Sequence, residues 1–187
     1  MNQNICRNCG CKFLKPKLIF KNHPIPLWPT IKKLKNNKST LKVYECKSCL
    51  LIQLQRFRNK DVIKFYESEQ FIIEDKNILM NRVNLIKKKI PLINFKNKKI
   101  LEIGGGRNNI LSYLPSSEKW INDVSIIDKK LNGIKVIKSS YENLKIKKNY
   151  FDYIFFFHTL EHIENPKKFL KKIFELLKKN GKIILEV

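Results

Sequence analysis

Lys99-Ile-Leu-Glu-Ile103-Gly-Gly-Gly106 is the stretch on which the fold turns. Its apolar first half suits a strand buried on both faces. Three of the chain's six glycines stand together at Gly104, Gly105 and Gly106, where a backbone without side chains can turn tightly and come close to a ligand. Asn109-Ile-Leu-Ser-Tyr-Leu114 follows with short helical spacing. Strand, glycine-rich turn and helix open a nucleotide-binding βαβ unit. The glycines alone are weak evidence, and their context gives them weight.

Further apolar runs lie downstream. Val124-Ser-Ile-Ile-Asp128 reads as a second strand ending in a carboxylate, and an acid at that tip can accept hydrogen bonds from both hydroxyls of a ribose. Ile134–Ile137 reads as a third strand and Phe151–Phe157 as a fourth, continuously apolar as a doubly covered strand should be. Asn165-Pro166 opens a helix, with Asn as cap and Pro at the first helical position. Phe169, Ile173, Leu176 and Leu177 form its buried stripe, Asn180-Gly181 is expected to end it in a left-handed turn, and 182–187 reads as a fifth strand. The alternation predicts an α/β fold, a Rossmann-like doubly wound parallel sheet of about five strands. Upstream, 59–66 has the spacing of a short helix and 74–90 that of an amphipathic one ending before Pro91.

All five cysteines fall in the first fifty residues. Cys6-x-x-Cys9 and Cys46-x-x-Cys49 each present two sulfurs to one ion, and together they complete a tetrahedral shell. A structural zinc site is expected rather than a catalytic one, since four thiolates leave no open position. Disulfides suit an intracellular chain poorly, and a redox motif needs no second copy. Cys11 is the spare. Gly10 follows the first knuckle and Leu50 the second, where glycine is usual. The Pro-rich 23–29 reads as the loop between knuckles, and 50–57 as a strand leading out. The expected division is a zinc-ribbon-like domain over 1–58, a helical linker over 59–96 and the Rossmann-like domain over 97–187.

Lys+Arg is 39 against 16 for Asp+Glu, a formal charge of +23. Such a charge invites phosphates, but only five of the 39 basic residues are Arg, and the lysines are spread along the chain. Bidentate readout of phosphate and guanine is therefore scarce. A nucleic-acid partner is not expected; acidic small molecules such as nucleotide-sugars suit the field better. No run approaches the roughly 18 apolar residues of a membrane span, and the N-terminus lacks the apolar stretch of a secretory signal. A cytoplasmic location is expected.

Ile100-Leu-Glu-Ile-Gly-Gly-Gly106 resembles the first motif of class I S-adenosylmethionine-dependent methyltransferases, His158-Thr-Leu-Glu-His-Ile-Glu-Asn-Pro166 resembles the segment after their fourth strand, and 181–187 their fifth strand. The paired knuckles followed by Phe65-Tyr-Glu-Ser68 resemble the subgroup with an N-terminal zinc-binding domain, which includes sugar C-methyltransferases. The resemblance implies S-adenosyl-L-methionine as cofactor. Gly104, Gly105 and Gly106 would pass under its methionine part, Glu102 would orient its amino-acid end, Asp128 would hold the ribose, Ser140 would accept from the adenine amino group, and His158 would lie near the methyl group. Asn108 stands where a third glycine is usual. Glu161 and His162 are weighed between catalysis and plain pairing or capping, and the general base is not named.

The resemblance also implies a further helix and two strands beyond the fifth strand, whereas the sequence stops at Val187. The fifth strand is then expected as an open apolar edge calling for a covering partner. Two outcomes stand side by side: methyl transfer to a nucleotide-sugar or surface-glycan precursor, or a short chain without activity of its own. The alternative in another class is a non-enzymatic zinc-ribbon module for nucleic acid or protein with a vestigial Rossmann half. NAD binding is disfavoured by the glycine spacing.

Overall fold

The computed structural model describes residues 5–12, 15–23, 39–54, 75–89, 94–106, 109–116, 118–125 and 131–187. The expected helix at 59–66, most of the proline-rich loop, Phe65–Ser68, Asn108 and Asp128 lie outside them. The chain forms two compact units, one of Met1–Phe71 with Glu164–Pro166, the other of Ile72–Ile163 with Lys167–Val187.

In the first unit, β1 (Leu18–His23), β2 (Ser39–Glu45) and β3 (Ile52–Leu54) form an antiparallel sheet in that order. Buried Gln53 ties β3 to the first knuckle: its Oε1 accepts from the Arg7 N–H at 3.1 Å and its Nε2 donates to the Ile5 carbonyl at 3.5 Å.

The second unit begins with α1 (Lys76–Lys89). Asp75 caps it, its Oδ1 accepting from the Asn77 N–H at 2.6 Å, and Lys87, Lys88 and Lys89 sit in the last turn, where they oppose the helix dipole. Leu79, Val83 and Ile86 make a buried stripe. They share a core with Phe95, Ile100, Ile121, Tyr153 and Phe155, so the helix expected within a linker packs on the sheet. The sheet comprises β4 (Lys99–Ile103), β5 (Glu118–Asp123), β6 (Ile134–Lys138), β7 (Phe151–Phe157) and β8 (Leu177–Glu186), all parallel, in the order β6-β5-β4-β7-β8. Its other face carries α2 (Pro166–Leu176), whose Phe169, Ile173 and Leu176 join Leu101, Ile103, Ile154 and Phe156 in a second core. Successive residues of β4 and β7 thus enter opposite cores, which explains why apolar residues stand side by side in both.

Two expectations are corrected. The second strand of this sheet is Glu118–Asp123, not 124–128: Lys99 to Ile103 pair with Glu118 to Asn122 in unbroken register. Its polar letters hid it, yet each has a structural use. Buried Asn122 donates through Nδ2 to the carbonyls of Ile137 and Ser139, at 3.0 and 2.8 Å. Glu118 Oε1 accepts from Tyr150 Oη at 2.7 Å, Trp120 Nε1 at 2.8 Å and Lys135 Nζ at 3.0 Å. The second correction concerns Gly181. α2 ends at Leu176 and β8 starts at once, and Gly181 has no left-handed φ. Leu177 pairs with Phe151 and Lys182 with Tyr153, so residues 178–181 bulge opposite Asp152. A Cβ at Gly181 would lie 3.0 Å from the Phe151 carbonyl and 2.8 Å from Leu177 Cδ2, so the glycine answers to crowding rather than to chirality. No helix among the described residues is long and apolar enough to cross a membrane.

Burial alone would raise the Glu118 pKa, but its three donors outweigh it and hold the carboxyl down to about 2. An acid depressed by folding contributes stability above its unfolded pKa and loses it as pH falls through the folded value. Denaturant unfolding should therefore show wild type losing stability from about pH 4.5 to 2 more steeply than Glu118→Gln, with the variant weaker by about 1 kcal/mol at pH 7 after solvent screening.

Candidate functional site

The chain leaves β4 toward β5 on one side and returns to β7 on the other, so the carboxyl ends of β4 and β7 flank the point where the winding reverses. Ligands of open α/β sheets bind at that point. Gly104, Gly105 and Gly106 occupy the end of β4, Asp123 closes β5, Ser140 follows β6 and His158 follows β7.

Each glycine of the turn answers to a different neighbour. A Cβ at Gly104 would lie 2.2 Å from Thr159 Oγ1, one at Gly105 2.8 Å from Glu102 Cδ, and one at Gly106 3.2 Å from Asp123 Oδ2. Gly104 and Gly106 also hold left-handed φ values of +75° and +47°, which only glycine adopts without strain. Thr159 Oγ1 donates to the carbonyls of Ile103 and Phe157, at 3.2 and 2.9 Å, pinning the ends of the two central strands together. The expected short helix after the turn is a 3-10 turn, Leu111–Tyr113.

Glu102 is 1% exposed and its Oε2 accepts from the Ile110 N–H at 3.0 Å. Burial pushes its pKa up to about 8, although the N–H groups of Ile110 and Leu111 and the charge of Arg82 work the other way. Near neutrality it is a largely protonated buckle beneath the glycine turn.

Asp128 lies outside the described residues, and the acid at the tip of the second strand is Asp123. Its Oδ1 accepts from the Ser125 N–H at 2.7 Å and from Ser125 Oγ at 2.8 Å, an Asx turn that leaves Oδ2 beside Gly106. Trp120-Ile121 just ahead of Asn122-Asp123 was the available signal; the more apolar run behind it drew the strand assignment away. Ser140 is half-buried and extended, immediately before the 3-10 turn Tyr141–Asn143. His158 has a left-handed φ of +45°, uncommon outside glycine and concentrated at functional sites. Its Nε2 lies 2.9 Å from Glu186 Oε1 and its Nδ1 3.6 Å from Glu161 Oε1.

In the first unit, the sulfurs of Cys6, Cys9, Cys46 and Cys49 all lie within 4.8 Å of one another, with Cys6–Cys49 at 3.6 Å and Cys9–Cys46 at 3.3 Å. Four thiolates about 2.3 Å from one zinc stand about 3.8 Å apart. The two knuckles repeat one geometry: Gly10 N–H donates to the Cys6 carbonyl at 3.0 Å, and Leu50 N–H to the Cys46 carbonyl at 2.8 Å. Leu50 takes the left-handed conformation, φ +60°, that Gly10 takes at +79°. The backbone N–H of Cys49 brings the Cys46 thiol down to about 6 against its burial. Cys11 is not one of the four but packs beside them, its sulfur 3.0 Å from Ser48 Oγ.

Because folding raises the Glu102 pKa, its contribution is complete below about pH 4.5 and is lost as pH rises toward 8. Across that window wild type should lose stability with a slope approaching about 1.4 kcal/mol per pH unit relative to Glu102→Gln, read from denaturant midpoints.

The profile of the methyltransferase domain family matches residues 79–187. The uncharacterized protein MJ1123 of Methanocaldococcus jannaschii is 32% identical over 126 residues, which is 65% of this chain and 57% of that protein. The chain thus spans little more than half the length of that relative. The plantazolicin methyltransferase BpumL, solved with a pentazolic desmethylPZN analog and SAH, is similar in fold, with a TM-score of 0.53 at 21% identity over 69% of this chain and 53% of that one. The same enzyme with a triazolic analog and SAH gives 0.51 at 19% identity over the same shares. With the family profile running through α1, the glycine turn, Asp123 and His158, the chain belongs to the methyltransferase domain family.

Proposed function

We propose that this protein binds S-adenosylmethionine at the carboxyl ends of β4 to β7 and transfers its methyl group to a small acidic acceptor, a nucleotide-sugar or surface-glycan precursor. The observation that carries the reading is the approach of Asp123 Oδ2 to Gly106, a carboxylate facing a side-chain-free turn. The residues fit the cofactor. The turn of Gly104, Gly105 and Gly106, packed closely against Thr159, Glu102 and Asp123, would pass under its methionine part. Asp123, standing where Asp128 was expected, has one oxygen held by Ser125 and the other available to ribose hydroxyls. Ser140 would accept from the adenine amino group and His158 would stand near the methyl group, while Glu102 would act from beneath by holding the turn. When bound, the cofactor supplies an electrophilic methyl group on a sulfonium; the chain's own task is to hold the reactants in line. The acceptor class is supported by the positive charge of +23, which concentrates phosphorylated molecules.

Titration calorimetry with S-adenosylhomocysteine should show micromolar-range binding that falls at least tenfold in Asp123→Ala. The absence of heat in wild type would overturn the reading. Methyl transfer is then scored as S-adenosylhomocysteine release in the presence of individual UDP- and dTDP-sugars.

The four sulfurs of Cys6, Cys9, Cys46 and Cys49 suit a structural zinc, which would hold the first unit together at the knuckles. Elemental analysis should find about one zinc per chain, and cobalt in its place should give thiolate charge-transfer absorption that Cys46→Ser weakens. A folded first unit without metal would rule the site out.

A further inference from the structure

His158 is gripped from β8 at two points. Its backbone N–H donates to the Glu186 carbonyl at 2.9 Å, and its Nε2 stands 2.9 Å from Glu186 Oε1. The second oxygen of Glu186 is occupied in turn: Arg82 Nε of α1 donates to Oε2 at 3.2 Å. The Arg82 side chain is only 11% exposed, with its guanidinium 5.2 Å from the centre of the Phe157 ring, so this anchor is itself held in place. The groups facing the imidazole are thus Glu186 of β8, backed by Arg82 of α1, and Glu161 of the 3-10 turn Leu160–His162.

Distance separates the two carboxylates. At 2.9 Å Glu186 Oε1 lies within hydrogen-bond distance of Nε2, whereas 3.6 Å from Glu161 is beyond it. A neutral imidazole bonded to a carboxylate through Nε2 carries its proton there, and its Nδ1 then holds a lone pair. The imidazole is 49% exposed, within reach of a bound molecule.

We propose that Glu186, anchored by Arg82, fixes His158 as the Nε2–H tautomer, and that His158 Nδ1 is the proton acceptor for the hydroxyl that receives the methyl group. The inference rests on the methyl-transfer reading above. The O–H bond of the acceptor breaks, its electron pair stays on oxygen, and the proton moves to Nδ1, giving an imidazolium between Glu186 and Glu161. Burial opposes ionisation of Glu186, but Arg82 and His158 keep it below the usual carboxylate range, so it stays charged to hold that cation. Glu186 and Arg82 act through His158 and are positioning residues.

The experiment is nitrogen-15 NMR of the histidine rings at a pH where His158 is neutral, with His158→Asn to assign the signals. The wild-type His158 ring should show protonated Nε2 and bare Nδ1 with no detectable Nδ1–H form. Glu186→Ala should let the Nδ1–H form appear; Glu186→Asp, which keeps the charge and shortens the reach, serves should the alanine variant unfold. In parallel, carbethoxylation of wild-type His158 by diethyl pyrocarbonate, located by mass spectrometry, should slow several-fold under saturating S-adenosylhomocysteine. A wild-type Nδ1–H tautomer, a ring spectrum indifferent to Glu186, or modification unaffected by bound S-adenosylhomocysteine would each overturn the proposal. Calorimetry on the same samples separates the two levels: binding without the tautomer removes His158 as proton acceptor and leaves the cofactor reading, whereas no binding removes both.

Discussion

At the end of β4 three consecutive missing side chains are demanded by three different neighbours. Thr159 fills the space beside Gly104, Glu102 that beside Gly105, and Asp123 that beside Gly106. Those neighbours come from the end of β7, from β4 itself and from the tip of β5. The close approach of Thr159 to Gly104 is what lets the ends of β4 and β7 come together, and a Cβ there would push them apart. The bare turn that permits this packing is also the surface on which a cofactor can lie. In the proposed reading the same three residues serve packing and binding, so a substitution there would act on both.

The second unit places Asn122, Glu102 and Glu118 in an apolar sheet, and each of the three has an identified partner. Asn122 spends its amide on two carbonyls of the neighbouring strand end. Glu102 is satisfied by the start of the next turn and, raised by burial, is largely uncharged near neutrality. Glu118 sits among donors at the amino end of the sheet and is held ionised. Two carboxylates about one strand length apart thus titrate in opposite directions. Desolvation dominates where the backbone offers few N–H groups, and hydrogen bonding dominates where Tyr150, Trp120 and Lys135 converge.

The first unit has, among its described residues, a buried apolar cluster of Tyr44 with Cys6 and Cys46. Its two knuckles follow one backbone plan despite differing in sequence. Leu50 accepts the left-handed conformation that Gly10 takes freely, at a cost of about 1–2 kcal/mol. Being exposed, Leu50 gives up no core packing there. A metal held by four sulfurs would offset that strain.

Amino-acid order alone determined the parallel α/β plan, the fourth strand, the stripe on α2 and the pairing of Cys6–Cys9 with Cys46–Cys49, because periodicity, glycine clustering and ligand spacing are local properties of the chain. It also indicated the site as the turn at 104–106. It misplaced the second strand, since Glu118, Lys119, Asn122 and Asp123 look unlike a buried strand until their partners, up to 32 residues away along the chain, are in view. The grip of Arg82 on Glu186, and of Glu186 on His158, joins α1 to β8 across 104 positions of sequence. Only the folding of the sheet brings such groups together, because hydrogen bonds between side chains depend on distances in space that no local pattern encodes.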